Sequence, residues 1–207
     1  MNPIGEVPRA VQFALRQPDS EDTLSPYVVP YERLMGRWHV VGSTLPLWKN
    51  KRDVTITYSP IPGAPETTFD DLVEFRREGA AAGSKVWTVR GIDTIETDVK
   101  GNGARWKWRG KGWLRISTSH WQILGFSLSP VGSTPSPAAQ PDWVVTYFSS
   151  TLFTPAGLDI YARNPAAISD AFIENLTAQL EALGGGVGKL VQGEKLFRIP
   201  HGVEQSC

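Results

Sequence analysis

From about Arg37 to Arg163 the chain alternates between short segments rich in Val, Ile, Thr, Tyr, Phe and Trp and punctuation by Gly and Pro. That pattern predicts β-structure throughout this region. The expected strands are 36–44 (GRWHVVGST), 53–59 (DVTITYS), 69–78 (FDDLVEFRRE), 85–93 (KVWTVRGID), 104–117 (ARWKWRGKGWLRIS), 120–128 (HWQILGFSL), 142–150 (DWVVTYFSS) and 158–164 (LDIYARN). Eight such strands suffice to close an up-and-down barrel, which removes exposed sheet edges and leaves an interior able to hold one small ligand. After them, SDAFIENLTAQLEALGGG carries Phe172, Leu176, Leu180 and Leu183 at helical spacing, with Ser169 or Asp170 as cap and Gly184 to Gly186 as stop. This predicts a helix over about 169–183 with one apolar stripe, which needs the outer wall of the barrel as its partner. The expected fold is all-β: an eight-stranded antiparallel up-and-down barrel with a C-terminal α-helix packed outside. Residues 1–33 read as an N-terminal extension, 34–199 as the barrel unit and 200–207 as a tail. Within that unit 129–142 reads as a Pro/Ser-rich loop and 189–199 as an extra edge strand.

The densest aromatic stretch, ARWKWRGKGWLRISTSHW at 104–121, sharpens this reading. In a strand successive side chains point to opposite faces, so Trp106 and Trp108 share one face while Arg105, Lys107 and Arg109 share the other. Gly110 to Gly112 then mark a bulge, after which Leu114 and Ile116 are expected to return to the inner face. Charge argues against the alternative, a nucleic-acid platform. Lys+Arg and Asp+Glu are each 21, so the formal charge is zero and the basic excess that phosphate binding demands is missing.

Other functions are excluded by what the chain lacks. The one cysteine, Cys207, is the final residue and closes no intrachain disulfide. The first residues lack the apolar core of a signal peptide, and no run approaches the roughly 18 apolar residues of a membrane span. A soluble, cytoplasmic protein is expected. GGGVGKL at 184–190 lacks the spacing and the Ser/Thr of a phosphate loop. There is no nucleophile elbow, no histidine pair at ligand spacing and no cysteine cluster, so neither metal nor cofactor is expected.

Two motifs go beyond a generic barrel. LMGRWHVVG places Gly36-x-Trp38 on the first barrel strand, and LDIYARNP places Arg163 after the last, just before the helix. The chain thereby resembles the lipocalin (calycin) family, in which a Gly-x-Trp motif opens the barrel and an arginine packs over that tryptophan at the closed end. The resemblance spans about Leu34 to Ile199. VTITYSP and YARNPAAISDAFIENLTAQLEALG are similar in particular to the apolipoprotein D and bacterial lipocalin branch. The family's Thr-Asp-Tyr motif, cysteines and secretion signal are missing, which points to a divergent form, of the kind found in fungal and bacterial small-molecule pathways. The resemblance implies a structural closed end made by Gly36, Trp38 and Arg163, in which the arginine stacks on the indole.

Alternation then proposes a lining. With Trp38 inward, Val40 follows it and His39 faces out. The resemblance places Tyr58 inside. Val73 and Phe75 share a face with Asp71, whose carboxylate is expected at the rim. Asp159 and Tyr161 share the parity of Arg163, and the resemblance implies a cavity role for Asp159. A carboxylate in an apolar cup costs several kcal/mol unless paired, so Asp159 must find a partner such as Arg90 or Tyr58, be protonated, or face solvent beside Gly157. The expected ligand contacts are Val40, Tyr58, Val73, Phe75, Arg90, Trp106, Trp108, His120, Asp159 and Tyr161. The expected function is binding of a hydrophobic or amphipathic small molecule, with a carboxylate-bearing ligand suited to the basic flank at Lys100 to Arg115. The alternative is a cofactor-independent cyclase or isomerase of Diels–Alderase type that folds a terpenoid or polyketide substrate into a reactive conformer, with Tyr58 donating a hydrogen bond to a substrate carbonyl and Asp159 as polar anchor or general acid–base group.

Overall fold

The computed structural model describes residues 11–20, 31–81, 83–96, 105–129, 141–151 and 154–202. Lys100, most of the Pro/Ser-rich loop and Cys207 lie outside the described residues. A short strand, β1 (Val11–Phe13), and one turn of helix, α1 (Tyr31–Leu34), precede the barrel. The barrel strands are β2 (Gly36–Ser43), β3 (Lys51–Pro60), β4 (Thr68–Arg77), β5 (Trp87–Ile95), β6 (Arg105–Gly110), β7 (Thr118–Leu128), β8 (Trp143–Phe148) and β9 (Gly157–Ala162). Each pairs antiparallel with its neighbour, and the β2–β9 and β7–β8 ladders close the ring. This is the expected barrel.

Period-two alternation divides the apolar side chains into two layers. Trp38, Val40, Tyr58, Phe69, Val73, Trp106, Trp121 and Tyr161 point inward and form one buried cluster. Val41, Leu124, Val145, Leu158 and Ile160 point outward and meet the C-terminal helices in a second. There α2 (Asp170–Ala182) buries Ile173, Leu176 and Leu180, and Ser169 caps it by accepting from the Phe172 N–H at 3.1 Å.

Two expectations are corrected. The 104–117 segment does not continue as a strand past Gly110. A Cβ there would lie 2.4 Å from the Leu114 carbonyl oxygen, and Gly112 has φ +66°. The chain instead coils into a 3₁₀ turn, Gly112–Ile116, which leaves Leu114 half-buried and Ile116 86% exposed. Nor is 189–199 a strand along its length. Gly184, at φ +64°, ends α2 and starts α3 (Gly185–Glu194), whose Val187 and Val191 are buried one helical turn apart. Gly188 allows the two helices to touch, since a Cβ there would sit 2.8 Å from the Glu181 carbonyl. Only β10 (Phe197–Arg198) pairs with the edge of β2.

Residues flanking the expected barrel unit are also tied to it. β1 extends the edge of β7, the Arg16 N–H donates to the Leu124 carbonyl, and Pro200 to Gly202 bond to Asp53 and Val40.

Candidate functional site

The closed end of the barrel is built around one indole. Trp38 is 0% exposed and donates its indole N–H to the Leu34 carbonyl at 2.8 Å. The Arg163 guanidinium lies 3.7 Å from the ring centroid and donates to the carbonyls of Arg33, Met35 and Arg37 at 2.6 to 2.8 Å. One planar fork thus saturates the turn into β2 while stacking on its tryptophan, which a point-charge ammonium does less well. Gly36 is needed on two counts: its φ is +90°, and a Cβ there would sit 3.3 Å from Arg163 Nη1.

Above this plug a stack of rings crosses the interior. Trp106 and Trp121 are stacked at 4.6 Å, Trp121 and Tyr58 at 5.8 Å, and Phe69 meets Tyr58 edge-on at 5.0 Å. All four rings are buried. Toward the open end Phe75, Val89, Trp108 and Phe148 line the inner face but are only half-buried. Leu47 and Ile116, from two turns at that end, and Trp87, the first residue of β5, are exposed.

Three carboxyl groups enter this aromatic interior. Asp71 and Asp93, on the inward faces of β4 and β5, are 8% and 0% exposed, and Asp159 on β9 is 0% exposed. Asp159 accepts from Ser43 Oγ at 2.5 Å and from the Trp48 indole N–H at 3.1 Å. Burial pushes its pKa up to about 7 despite those two bonds. Asp93 accepts from the Trp121 indole N–H at 2.7 Å, and Asp71 from that of Trp108. Each keeps one buried oxygen without a hydrogen bond, Oδ1 of Asp71 and Oδ2 of Asp93. Burial carries Asp71 up to about 7, and burial together with the charge of Asp71 carries Asp93 well above the ordinary carboxylate range. The Tyr161 hydroxyl sits beside those of Tyr58 and Thr146 without a bond of normal geometry, and burial raises both phenols.

Most of the residues expected to line the cavity meet in this interior: Val40, Tyr58, Val73, Phe75, Trp106, Trp108, Asp159 and Tyr161. Arg90 does not. It alternates with the inward Val89 and Gly91, so its side chain is exposed on the outer wall and cannot partner Asp159. His120 also faces out, opposite Lys107, with Nδ1 3.0 Å from Glu96. Asp71 is inside and not at the rim. Asp159 takes neither Arg90 nor solvent but Ser43 and Trp48.

Sequence reasoning missed Asp93, Trp121, Ser43 and Trp48. Asp93 and Trp121 had a usable signal, since Asp93 alternates with Val89 and Ile95, and Trp121 with Ile123. Ser43 and Trp48 reach Asp159 only because a loop folds back over the open end, which no alternation encodes.

Gly91 shows how tightly the interior is fitted. A Cβ built on it would fall 2.1 Å from the Trp108 indole nitrogen. Gly91→Ala is therefore expected to swing Trp108 off Asp71 and to cost about 1–3 kcal/mol by overpacking, read as a lower denaturation midpoint with an altered tryptophan emission spectrum.

A groove of about 890 Å³ lies outside the barrel, between β2–β4 and the tail, and includes His39, Arg76, Arg198 and His201. Three of its arginines face carboxylates, as Arg37 lies 3.5 Å from Glu74, Arg76 3.5 Å from Asp53 and Arg198 3.4 Å from Asp170, and the fourth, Arg163, is engaged at the closed end. Among the described residues no group of His, Cys, Asp and Glu is arranged to hold a metal, and no helix is long and apolar enough to cross a membrane.

No family model matches the sequence, and no curated protein matches it. Solved structures do. The chain is similar to lobster apocrustacyanin A1 with a TM-score of 0.55 at 12% identity, covering 93% of this chain and 91% of that one. Apocrustacyanin C2 gives 0.55 at 13% identity over 96% and 94%, and apocrustacyanin C1 gives 0.51 at 12% over 85% and 82%. These are lipocalins, and at such identities the likeness is one of fold. The chain has the lipocalin fold, a closed eight-stranded antiparallel barrel with C-terminal helices packed outside.

Proposed function

We propose that the barrel binds a small, largely apolar molecule that enters through the open end. Phe75, Val89, Trp108 and Phe148 form its walls, and the Tyr58–Trp121–Trp106 stack lies beneath. The observation that carries this reading is the gradient of burial along the inner face. The rings of the stack are sealed, whereas toward the mouth Phe75, Val89, Trp108 and Phe148 retain accessible surface while Leu45, Trp48 and Val54 are buried, and binding sites of this kind combine apolar walls with a few placed polar groups. Val40, Val73, Tyr161 and Asp159 support the lining from beneath. The ring-filled depth implies that a ligand penetrates by displacing Trp108, the half-buried indole between the mouth and Asp71.

The test uses N-phenyl-1-naphthylamine, a neutral fluorophore. Saturable one-to-one binding with quenching of tryptophan emission is expected, weakened several-fold by Phe148→Asp. Absence of saturable binding by this probe would show that the barrel serves only as a packed scaffold.

A second reading has its own support. Asp159 holds a proton up to about neutrality in an apolar setting, as a general acid requires. With Tyr58 it would serve cyclisation or isomerisation of a terpenoid or polyketide. That reading predicts turnover of such a substrate, lost in Tyr58→Phe and in Asp159→Asn. The Arg163-Asn164-Pro165 run directly before α2 supports placement near the apolipoprotein D and bacterial lipocalin branch.

A further inference from the structure

The interior of this barrel is acidic, and that specifies a ligand. Among the described residues, the charged side chains that point into the barrel and are at least nine-tenths buried are Asp71, Asp93 and Asp159. Asp159 is answered by Ser43 and Trp48. The other two are not fully answered. On the β4–β5 ladder Asp71 lies opposite Gly91 and Asp93 opposite Phe69. They are thus diagonal neighbours on one face, with backbones roughly 7–8 Å apart by ladder geometry. Each carboxyl spends one oxygen on an indole N–H and leaves the other bare, and neither bare oxygen has exposed surface. A buried acceptor without a donor is destabilising, more so if charged, and two such atoms on adjacent strands form a ready-made receptor for a group that donates in two directions.

We propose that Asp71 and Asp93 together receive the nitrogen of a lipophilic amine, bound as its ammonium ion with its hydrocarbon part toward the open end. This rests on the reading of the barrel as a binding site and names the class of ligand. An ammonium has three donors, enough for both bare oxygens, and its charge offsets the ionisation that burial otherwise opposes at this pair. The rings around the pair supply the rest: Trp121 and Tyr58 are stacked beside Asp93, and the faces of such rings attract cations. An alcohol or amide offers fewer donors and no charge. A carboxylate would add a third negative charge.

The route to the pair is Trp108. Its indole packs against Gly91 where a Cβ would stand, donates to Asp71 and is half-buried. Rotation of this one ring away from Gly91 exposes the Asp71 carboxyl toward the mouth. The mouth itself is basic, with Lys51 over Phe75 and with Arg77 and Lys85 over Trp87. Arg77 and Lys85 are exposed to solvent and their charge is screened, whereas the interior carboxyls are not. A fatty acid held by those cations is the competing occupant, and the experiment separates the two.

Decylamine, decan-1-ol and decanoate are titrated at pH 8 and low micromolar concentration against protein loaded with N-phenyl-1-naphthylamine. Displacement by decylamine is expected at about tenfold lower concentration than by either of the others, consistent with charge-assisted bonding in a desolvated site. Asp93→Asn and Asp71→Asn each remove that advantage, read as the ratio of decylamine to decanol displacement within the same variant, so that any change in probe affinity cancels. Asparagine keeps the side-chain volume and lightens the cost of a buried charge, and circular dichroism on each variant verifies the fold. Equal displacement by the three compounds, stronger displacement by decanoate, or an amine preference that survives both substitutions overturns the assignment while leaving the binding site intact. If the naphthylamine itself fails to bind, the barrel is not a binding site and the assignment falls with it.

Discussion

Trp38→Ala is expected to destabilise the protein by about 3–5 kcal/mol, the range for removing a wholly buried large aromatic side chain. For a chain of 207 residues this lowers the melting temperature by roughly 6–20 °C. The size of the effect follows from how many contacts depend on this indole. It fills the closed end at 0% exposure, donates to Leu34, and provides the surface on which Arg163 lies while that arginine holds three carbonyls of the turn into β2. Removing the ring opens a cavity and loosens the arginine at the same time. Arg163→Lys keeps the charge but loses the fork and the stacking, so it should fall partway along the same scale. Thermal and urea denaturation of the two variants checks this. A loss below about 1 kcal/mol for Trp38→Ala would mean that the closed end is held elsewhere.

Stability should rise as the pH falls from 8 to 5, the reverse of the usual behaviour of a protein rich in ionised surface carboxylates. The sign follows from the buried aspartates. Burial raises Asp159 and Asp71 to about 7 and moves Asp93 in the same direction, whereas an unfolded aspartate titrates near about 3.9. Between those values the folded state holds protons that the unfolded state has lost, so raising the pH favours unfolding. The contribution is complete below about pH 4 and is lost as the pH climbs through 7. Each carboxyl contributes a slope of up to about 1.4 kcal/mol per pH unit inside that window. Surface groups add their own slopes, so the decisive quantity is a difference between proteins. Asp159→Asn should flatten the profile by about 2–3 kcal/mol between pH 7 and pH 5, measured as urea midpoints across that range. Profiles of equal slope would place Asp159 in contact with solvent or with a cation.

Both predictions depend on features of different visibility. The Trp38 plug was readable because two short motifs, Gly36-x-Trp38 and Arg163 before the helix, resemble those of lipocalins, in which such an arginine covers such a tryptophan. The buried acids were half readable. Asp71 and Asp159 share parity with apolar neighbours, yet alternation assigns a face and not a depth, so a rim position and a buried one look alike. Arg90 was mistaken for an interior partner because the parity of β5 was not settled by its sequence, where small and polar residues occupy both faces. His120 failed for a related reason: its place at the start of β7 suggested the mouth, but its register opposite Lys107 turns it outward.

The Trp38–Arg163 pair that closes the barrel was legible only through the resemblance to lipocalins; what the sequence determined by itself was the local code, strand periodicity over 36–164 and the capped apolar stripe of α2. These follow from neighbours within a few residues and from backbone sterics, which act wherever the chain is. Tertiary structure alone decided which polar groups meet. Ser43 and Trp48 reach Asp159 across more than a hundred residues, Asp71 and Asp93 become one acidic pair only when β4 and β5 align in register, and α3 replaces a strand because Val187 and Val191 find the second core. The physical reason is that the energy of a buried polar atom depends on its partner and its solvent, and both are fixed only when the sheet closes.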